Sequence, residues 1–266
     1  MKGRFKMKKI VLFMMALILV VGFTGCEIKY KNNTSIDFDK DNSHIEILDD
    51  LIEETDSIKE DIQELDLKID FGVGELSVEG GAEELIETNF KYNVDRLKPE
   101  VTKDVDKEKV AVRIKQPSTS LNIGDQISDL FSGKSFRNEW EIKIKDDTKL
   151  NLKIENGVGE SKIDLKEVQL ESLDIDCGVG DLRVDLANDY GKDLDVTIEG
   201  GVGDIRIYVP KDMGVQVKAT KGIGDLDIDG FIKYDDIYRN REYEEGEPIM
   251  KIKIDMGVGS IKVIEE

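Results

Sequence analysis

Leu173-Asp-Ile-Asp-Cys-Gly-Val-Gly-Asp-Leu-Arg-Val-Asp-Leu186 is the stretch that decides the fold. Apolar side chains fall at Leu173, Ile175, Cys177 and Val179, then at Leu182, Val184 and Leu186, so steps of two are interrupted by one step of three. Strict alternation marks a half-buried strand, and a strand that changes parity has bulged or turned. Glycine on both sides of a valine that this spacing places inside suits a corner, where one or both glycines take positive φ or approach a neighbouring coil closely. The same arithmetic holds for Leu194, Val196, Ile198, Gly200, Val202 followed by Ile205, Ile207, Val209, and for Ile252, Ile254, Met256, Val258 followed by Ile261, Val263.

Six copies of the corner occur: Gly72-Val-Gly74-Glu75, Gly157-Val-Gly159-Glu160, Gly178-Val-Gly180-Asp181, Gly201-Val-Gly203-Asp204, Gly222-Ile-Gly224-Asp225 and Gly257-Val-Gly259-Ser260. Their first glycines are separated by 85, 21, 23, 21 and 35 residues; the last gap is one repeat plus an insertion. Repetition at this interval signals a stacked array. Two short strands and their corners account for each 21–23-residue coil. Stacking at about 4.8 Å pairs each strand with its equivalents above and below. The expectation is an all-β chain folded as a parallel β-solenoid. Its outward positions are nearly all charged, as in Asp174, Asp176, Arg183, Asp185, Arg206 and Asp227. That is the mark of a solvated face that resists edge-to-edge association.

The 266 residues carry 38 Lys+Arg against 58 Asp+Glu, a net charge of −20. Residues 1–25 hold five of those bases (Lys2, Arg4, Lys6, Lys8, Lys9) and no acid, so the remainder is more acidic still. Such a balance argues against nucleic acid as a partner. One His and two Cys exclude a zinc cage of His and Cys, a Ser-His-Asp hydrolase and a disulfide framework. The basic start, the apolar run Ile10–Phe23 and the small residues after it read as an export signal. Fourteen residues span about 21 Å as a helix, short of the roughly 30 Å hydrocarbon core.

The expected organisation is a signal peptide over 1–25, a tether over 26–56, coils over 57–147 and a continuous repeat solenoid over 148–266. Apolar positions from Leu48 to Ile62 suit a short helix after a Ser43 cap, although the second half equally opens a strand. Thr88–Val94, Lys109–Lys115 and Glu139–Lys145 alternate without the glycine corner and are expected to make the first coils and cap the stack. They are divided by Arg96–Lys107 and by the irregular insertion Pro117–Arg137. A second insertion, Lys233–Glu247, carries Tyr234, Tyr238 and Tyr243, read as loop packing rather than a ligand platform.

Phe23-Thr24-Gly25-Cys26 resembles the bacterial lipoprotein lipobox. The resemblance implies a diacylglyceryl group on Cys26, which becomes the new N-terminus, and attachment to the membrane through acyl chains. The alternative is an uncleaved anchor helix. Leu65–Gly81, the Phe90-Lys-Tyr-Asn93 strand and Asn138-Glu-Trp-Glu-Ile142 resemble the N-terminal module of the toast-rack and adhesin-like domains of bacterial envelope proteins. Leu150–Val263 is similar to the C-terminal coils of that group and of membrane-bound regulators that respond to cell-wall-active antibiotics. The resemblance implies a protein on the outer face of the cell membrane, with an envelope protein or glycan as partner.

The residues carry little chemistry beside this. Asp181, Asp204 and Asp225, one repeat apart, would form a ladder about 5 Å apart, which invites a row of calcium sites. The preferred account is that each carboxylate accepts backbone N–H groups at its own corner. The G-x-G pairs lack the third glycine and following helix of a dinucleotide fingerprint. His44 lies in a polar segment, and Cys177 falls in a mixed column with Phe71, Asn156, Gly200, Lys221 and Met256 that suits a partly buried corner without a base to activate the thiol. No catalytic constellation, cofactor or carboxylate pair stands out. The expected role is therefore a non-enzymatic, lipid-anchored envelope protein whose acidic solenoid serves as an adhesion or scaffold surface. A sensory module of the envelope stress response and a carbohydrate-active β-helix enzyme are the alternatives.

Overall fold

Each copy of the glycine motif lies at the bend of one rung, and the rungs pair in parallel. The computed structural model describes residues 52–58, 62–107, 109–117 and 136–266. In chain order the strands are β1 (Ile52–Ile58), β2 (Glu64–Gly80), β3 (Ile86–Tyr92), β4 (Glu100–Asp106), β5 (Lys109–Lys115), β6 (Asn138–Ile144), β7 (Lys149–Asp164) and β8 (Gln169–Val179). They continue as β9 (Leu182–Asp185), β10 (Leu194–Val209), β11 (Gly214–Ile223), β12 (Leu226–Ile228), β13 (Ile232–Tyr234), β14 (Ile237–Arg239) and β15 (Ile249–Glu265). No helix among the described residues is long and apolar enough to cross a membrane.

The parity change works as the spacing requires. Along β2, Leu65, Leu67, Ile69 and Phe71 are buried before the glycines, and Leu76 and Val78 after them. The two arms of every rung thus turn their apolar sides toward one shared core, which runs from Leu65 to Val263. Burying each Leu or Ile stabilises by about 1.5–3 kcal/mol relative to exposure. The first arms form one ladder, β4-β5-β2-β7-β8-β10-β15-β11-β14-β13. The second arms form another, β1-β3-β6-β2-β7-β9-β10-β15-β12. Pairing through β2, β7, β8–β9, β10, β15 and β11–β12 is parallel throughout, so the chain is an all-β parallel solenoid. Antiparallel strands finish its ends.

Four local expectations are corrected. Of the two readings left open after Ser43, residues Ile52–Ile58 take the strand and form β1, whose seven residues pair with β3, so the sheet begins before the expected end of the tether at residue 56; the earlier part lies outside the described residues. Arg96–Lys107, read as a divider, contains β4, paired antiparallel to β5 along its whole length. The valine between the glycines is not inside: Val73, Val179, Val202 and Val258 are half-buried, Val158 is exposed and Ile223 is 73% exposed. The last rung is not at the end of the stack, because β15 lies between β10 and β11.

The position of β15 follows from its side chains. Inward positions on β15 carry Ile252, Ile254 and Met256, all buried, whereas the same register on β11 carries Val217, Ala219 and Lys221. An interior rung has both edges covered and needs a full apolar set; a rung with Lys at an inward position belongs at the edge, where the ammonium escapes burial. There Lys221 Nζ donates to the carbonyl of Gly224. The insertion then covers the remaining edge of β11, with Gln216 opposite Arg239 and Val217 opposite Tyr238. Buried Asn240 fastens it: Oδ1 accepts from Val215 N at 2.8 Å, and Nδ2 donates to Met213 O at 2.9 Å.

Candidate functional site

The corners are the repeated feature, and both glycines of each are sterically required, except Gly72, where an added Cβ would meet only the Gln116 side chain. The second glycine has positive φ, from +134° at Gly74 to +150° at Gly203. A Cβ on Gly203 would lie 1.8 Å from the carbonyl oxygen of Gly180 one rung away. The first glycine is held by close approach alone: a Cβ on Gly201 would sit 2.2 Å from Gly178 O. Gly72, Gly157, Gly178, Gly201, Gly257 and Gly222 follow one another in this order along the stack, each accompanied by its partner Gly74, Gly159, Gly180, Gly203, Gly259 or Gly224.

Beneath the corner runs the column Phe71, Asn156, Cys177, Gly200, Met256, Lys221. Phe71, Asn156, Cys177 and Met256 are buried, which corrects the expectation of a partly buried position. Burial first, then the charge of Asp176, pushes the Cys177 thiol up to about 12 against the opposing Asn156 side chain, so the thiol stays protonated at neutral pH.

The acidic residues after the corner serve the stack in a different way from the one expected. Asp181 Oδ1 accepts the backbone N–H of Asp204 at 3.2 Å, and Asp204 Oδ1 accepts that of Ser260 at 3.2 Å. Each carboxylate therefore caps the next rung rather than its own corner. Asp225 does not adjoin Asp204, since the rung order places Ser260 between them. Among the described residues no group of three or more His, Cys, Asp or Glu side chains is placed to hold a metal ion. At the start of the ladder Glu75 stands beside Glu139 and Glu160; burial first, then their charges, raise its carboxyl above the ordinary value.

On the far side of β2 the two arms are the separate strands β5 and β6, so no glycine corner supports Gly72 and Val73. Two side-chain amides replace it. Gln116 Oε1 accepts from Gly72 N at 3.0 Å and Val73 N at 3.2 Å. Asn138 Nδ2 donates to Val73 O at 2.6 Å and to Gln116 Oε1 at 3.1 Å, and its Oδ1 accepts from Trp140 Nε1 at 3.1 Å. Sequence reasoning missed this pair; the signal was an amide on each side of the insertion, at the register of the missing corner.

Among the described residues the aromatic side chains do not line up as a stacking platform. Trp140 is fully buried, with Phe71 and Phe90 packed edge-on at 4.9 and 5.2 Å. Tyr243 and Tyr234 pack with their own loop, Arg239 lying 4.0 Å over the first and 5.6 Å over the second, while Tyr238 lies opposite Val217 and packs against the shared core. An open groove of about 580 Å³ crosses the outer face of the first arms. Several of its polar groups bond to one another, Ser172 donating to Asn151, Asn151 to Asp66 and Lys153 to Asp174 at 2.8–3.0 Å. Cys26 and His44 lie outside the described residues.

A family model of the N-terminal domain of toast_rack matches residues 28–208. A second, the C-terminal domain of the cell wall-active antibiotics response protein LiaF, matches residues 157–263. Among solved structures, a "putative cell adhesion protein" from Clostridium sporogenes is 32% identical. It aligns over 82% of this chain and 100% of its own length with a TM-score of 0.76. A "putative adhesin" from Bacteroides fragilis (11% identity, 83% of this chain, 100% of its own, TM-score 0.22) is far more distant. So is one from Parabacteroides distasonis (14%, 81%, 97%, 0.25). No curated protein matches the chain.

Proposed function

We propose that this chain, which belongs to the toast-rack family, is a non-enzymatic, lipid-anchored envelope protein that presents its solenoid as an adhesion or scaffold surface outside the cell membrane. One observation carries the reading: Asp181 and Asp204, the acids that recur after the corners, are engaged in holding rung to rung, and no metal-holding group of side chains is assembled among the described residues. The adhesion-type name of the Clostridium sporogenes structure supports it. The anchor rests on the Phe23–Cys26 resemblance to a lipobox.

Two measurements test it. Cells fed an alkyne fatty acid are expected to label the protein, with label lost in Cys26→Ser, and protease added to intact cells is expected to degrade it. Protection from protease overturns the location; labelling that survives Cys26→Ser overturns the anchor.

A second reading, a module that tunes a membrane sensor during wall stress, is favoured by the match of residues 157–263 to the LiaF C-terminal domain. Deletion would then change transcription after exposure to wall-active antibiotics, while loss of adhesion alone would not.

A further inference from the structure

The outer face of the second arms holds a feature that the acidic composition does not lead one to expect. Register stacks Lys162 beside Arg183, Arg183 beside Arg206 and Arg206 beside Lys262. Four bases thus occupy four consecutive rungs of a chain with 58 acids and 38 bases. At about 4.8 Å per rung they make a cationic track about 14 Å long. Glu141 with Ser77 closes it at one end and Asp227 at the other.

Only one of the four bases is closely paired with a carboxylate. Lys162 and Arg206 form no ion pair with any described residue, and Lys262 reaches only Asp227 at the end of the track. Arg183 is held flat, 4.1 Å over the Tyr208 ring with Nη1 donating to Tyr208 Oη at 3.0 Å; its nearest carboxylate, Asp185, is 3.8 Å away. Like charges stacked along a ladder repel unless an anion lies across them. The guanidinium of Arg183 is pre-positioned, which lowers the ordering cost of receiving one.

The flanking columns select the shape of the anion. One side carries Glu160, Asp181 and Asp204, then Ser260; the other carries Asp164 and Asp185, both paired with Lys166, then Tyr208 and Ile264. A flat anionic membrane would press its headgroups against the acidic column on the first side, whereas a single-file chain follows the track beside it. Nucleobases would need a free aromatic face, and that of Tyr208 is covered by Arg183.

We propose that Lys162, Arg183, Arg206 and Lys262 form a docking track for a linear polyol-phosphate polymer of the envelope, its phosphodiesters lying along the stack axis. The choice of polymer rests on the envelope reading above; the track itself does not.

The test is fluorescence anisotropy of the full chain in detergent with labelled synthetic poly(glycerol phosphate). Affinity is expected to fall as salt rises, and Lys162→Glu and Arg206→Glu should each weaken binding about tenfold and lower the salt slope by about 1. Lys251→Glu, an equal charge change on the first-arm face, should leave binding unchanged, and all three should keep the parent's unfolding midpoint. Equal weakening by Lys251→Glu, or no binding, overturns the track. Phosphatidylglycerol vesicles or oligo(dT) binding more tightly than the polymer, with the same sensitivity to Arg206→Glu, overturns the assignment of partner. Cell location plays no part in this assay, so its failure leaves the envelope reading standing, and failure of protease shaving leaves the track standing.

Discussion

The carboxylate of Asp204 accepts the backbone N–H of Ser260, 56 residues further along the chain, at 3.2 Å. A side chain that sequence order would direct toward Asp225 instead holds the rung that enters between them. The bond is to an exposed group, so Asp204→Ala should cost only about 1 kcal/mol. Asp204→Asn, whose amide oxygen accepts equally well, should keep nearly all of it. Urea midpoints of the two variants separate the hydrogen bond from the charge, and equal losses would show that charge dominates.

The corners predict a sharper contrast. Gly203→Ala places a methyl 1.8 Å from Gly180 O at φ +150° and should cost more than about 4 kcal/mol, the exceptional end for one substitution. Gly246→Ala, also at positive φ (+95°) but with nothing within 4 Å of the new methyl, should cost about 1 kcal/mol through backbone strain alone. Thermal unfolding of the pair measures how much of the requirement is contact between rungs.

Asn138→Ala should be among the most damaging polar substitutions. It leaves Trp140 Nε1 and Val73 O without partners in a site where Asn138 is 2% exposed, at about 1–3 kcal/mol for each orphaned group. The expected result is a lower midpoint with a red-shifted Trp140 emission as water enters.

Glu75 sets a dependence on acid. Its carboxyl is raised above the ordinary value of 4.5 by burial and by Glu139 and Glu160, so its ionised form is less comfortable folded than unfolded. That destabilisation is fully present above the folded value and disappears as pH falls below 4.5. Glu75→Gln should therefore raise the urea midpoint at pH 7 and show no advantage at pH 3.5. Asp70 acts in the opposite sense: burial alone would raise it, but Arg113 and Lys68 hold it below its ordinary 3.8, so its contribution is lost in acid.

The parallel stack was legible because two glycines and a parity change recur in register with the apolar steps, and few folds satisfy both periods. What the glycines do was half legible. The need for positive φ and close approach could be argued from Gly-Val-Gly, but the same reasoning put Val158 inside, and a bend that reverses the inward side leaves its middle residue outside. The rung order could not be read from spacing, because β11 and β15 carry near-identical corners; only Ala219 and Lys221 at inward positions distinguish an edge rung from an interior one. Gln116 and Asn138 were hidden because their task is defined by a corner that the chain omits. The basic column was invisible for a similar reason: Lys162, Arg183, Arg206 and Lys262 lie far apart in sequence among many acids, and only the register brings them together.

Residues 249–265 complete the ladder from within, and this bears on how the molecule is made. On a ribosome, β11 emerges before β15, and its corner follows that of β10 by 21 residues, the same interval that lets β8 follow β7 directly. Nothing in that spacing keeps β11 off β10; what separates them in the finished stack is the last strand, so the full ladder cannot close until β15 is present.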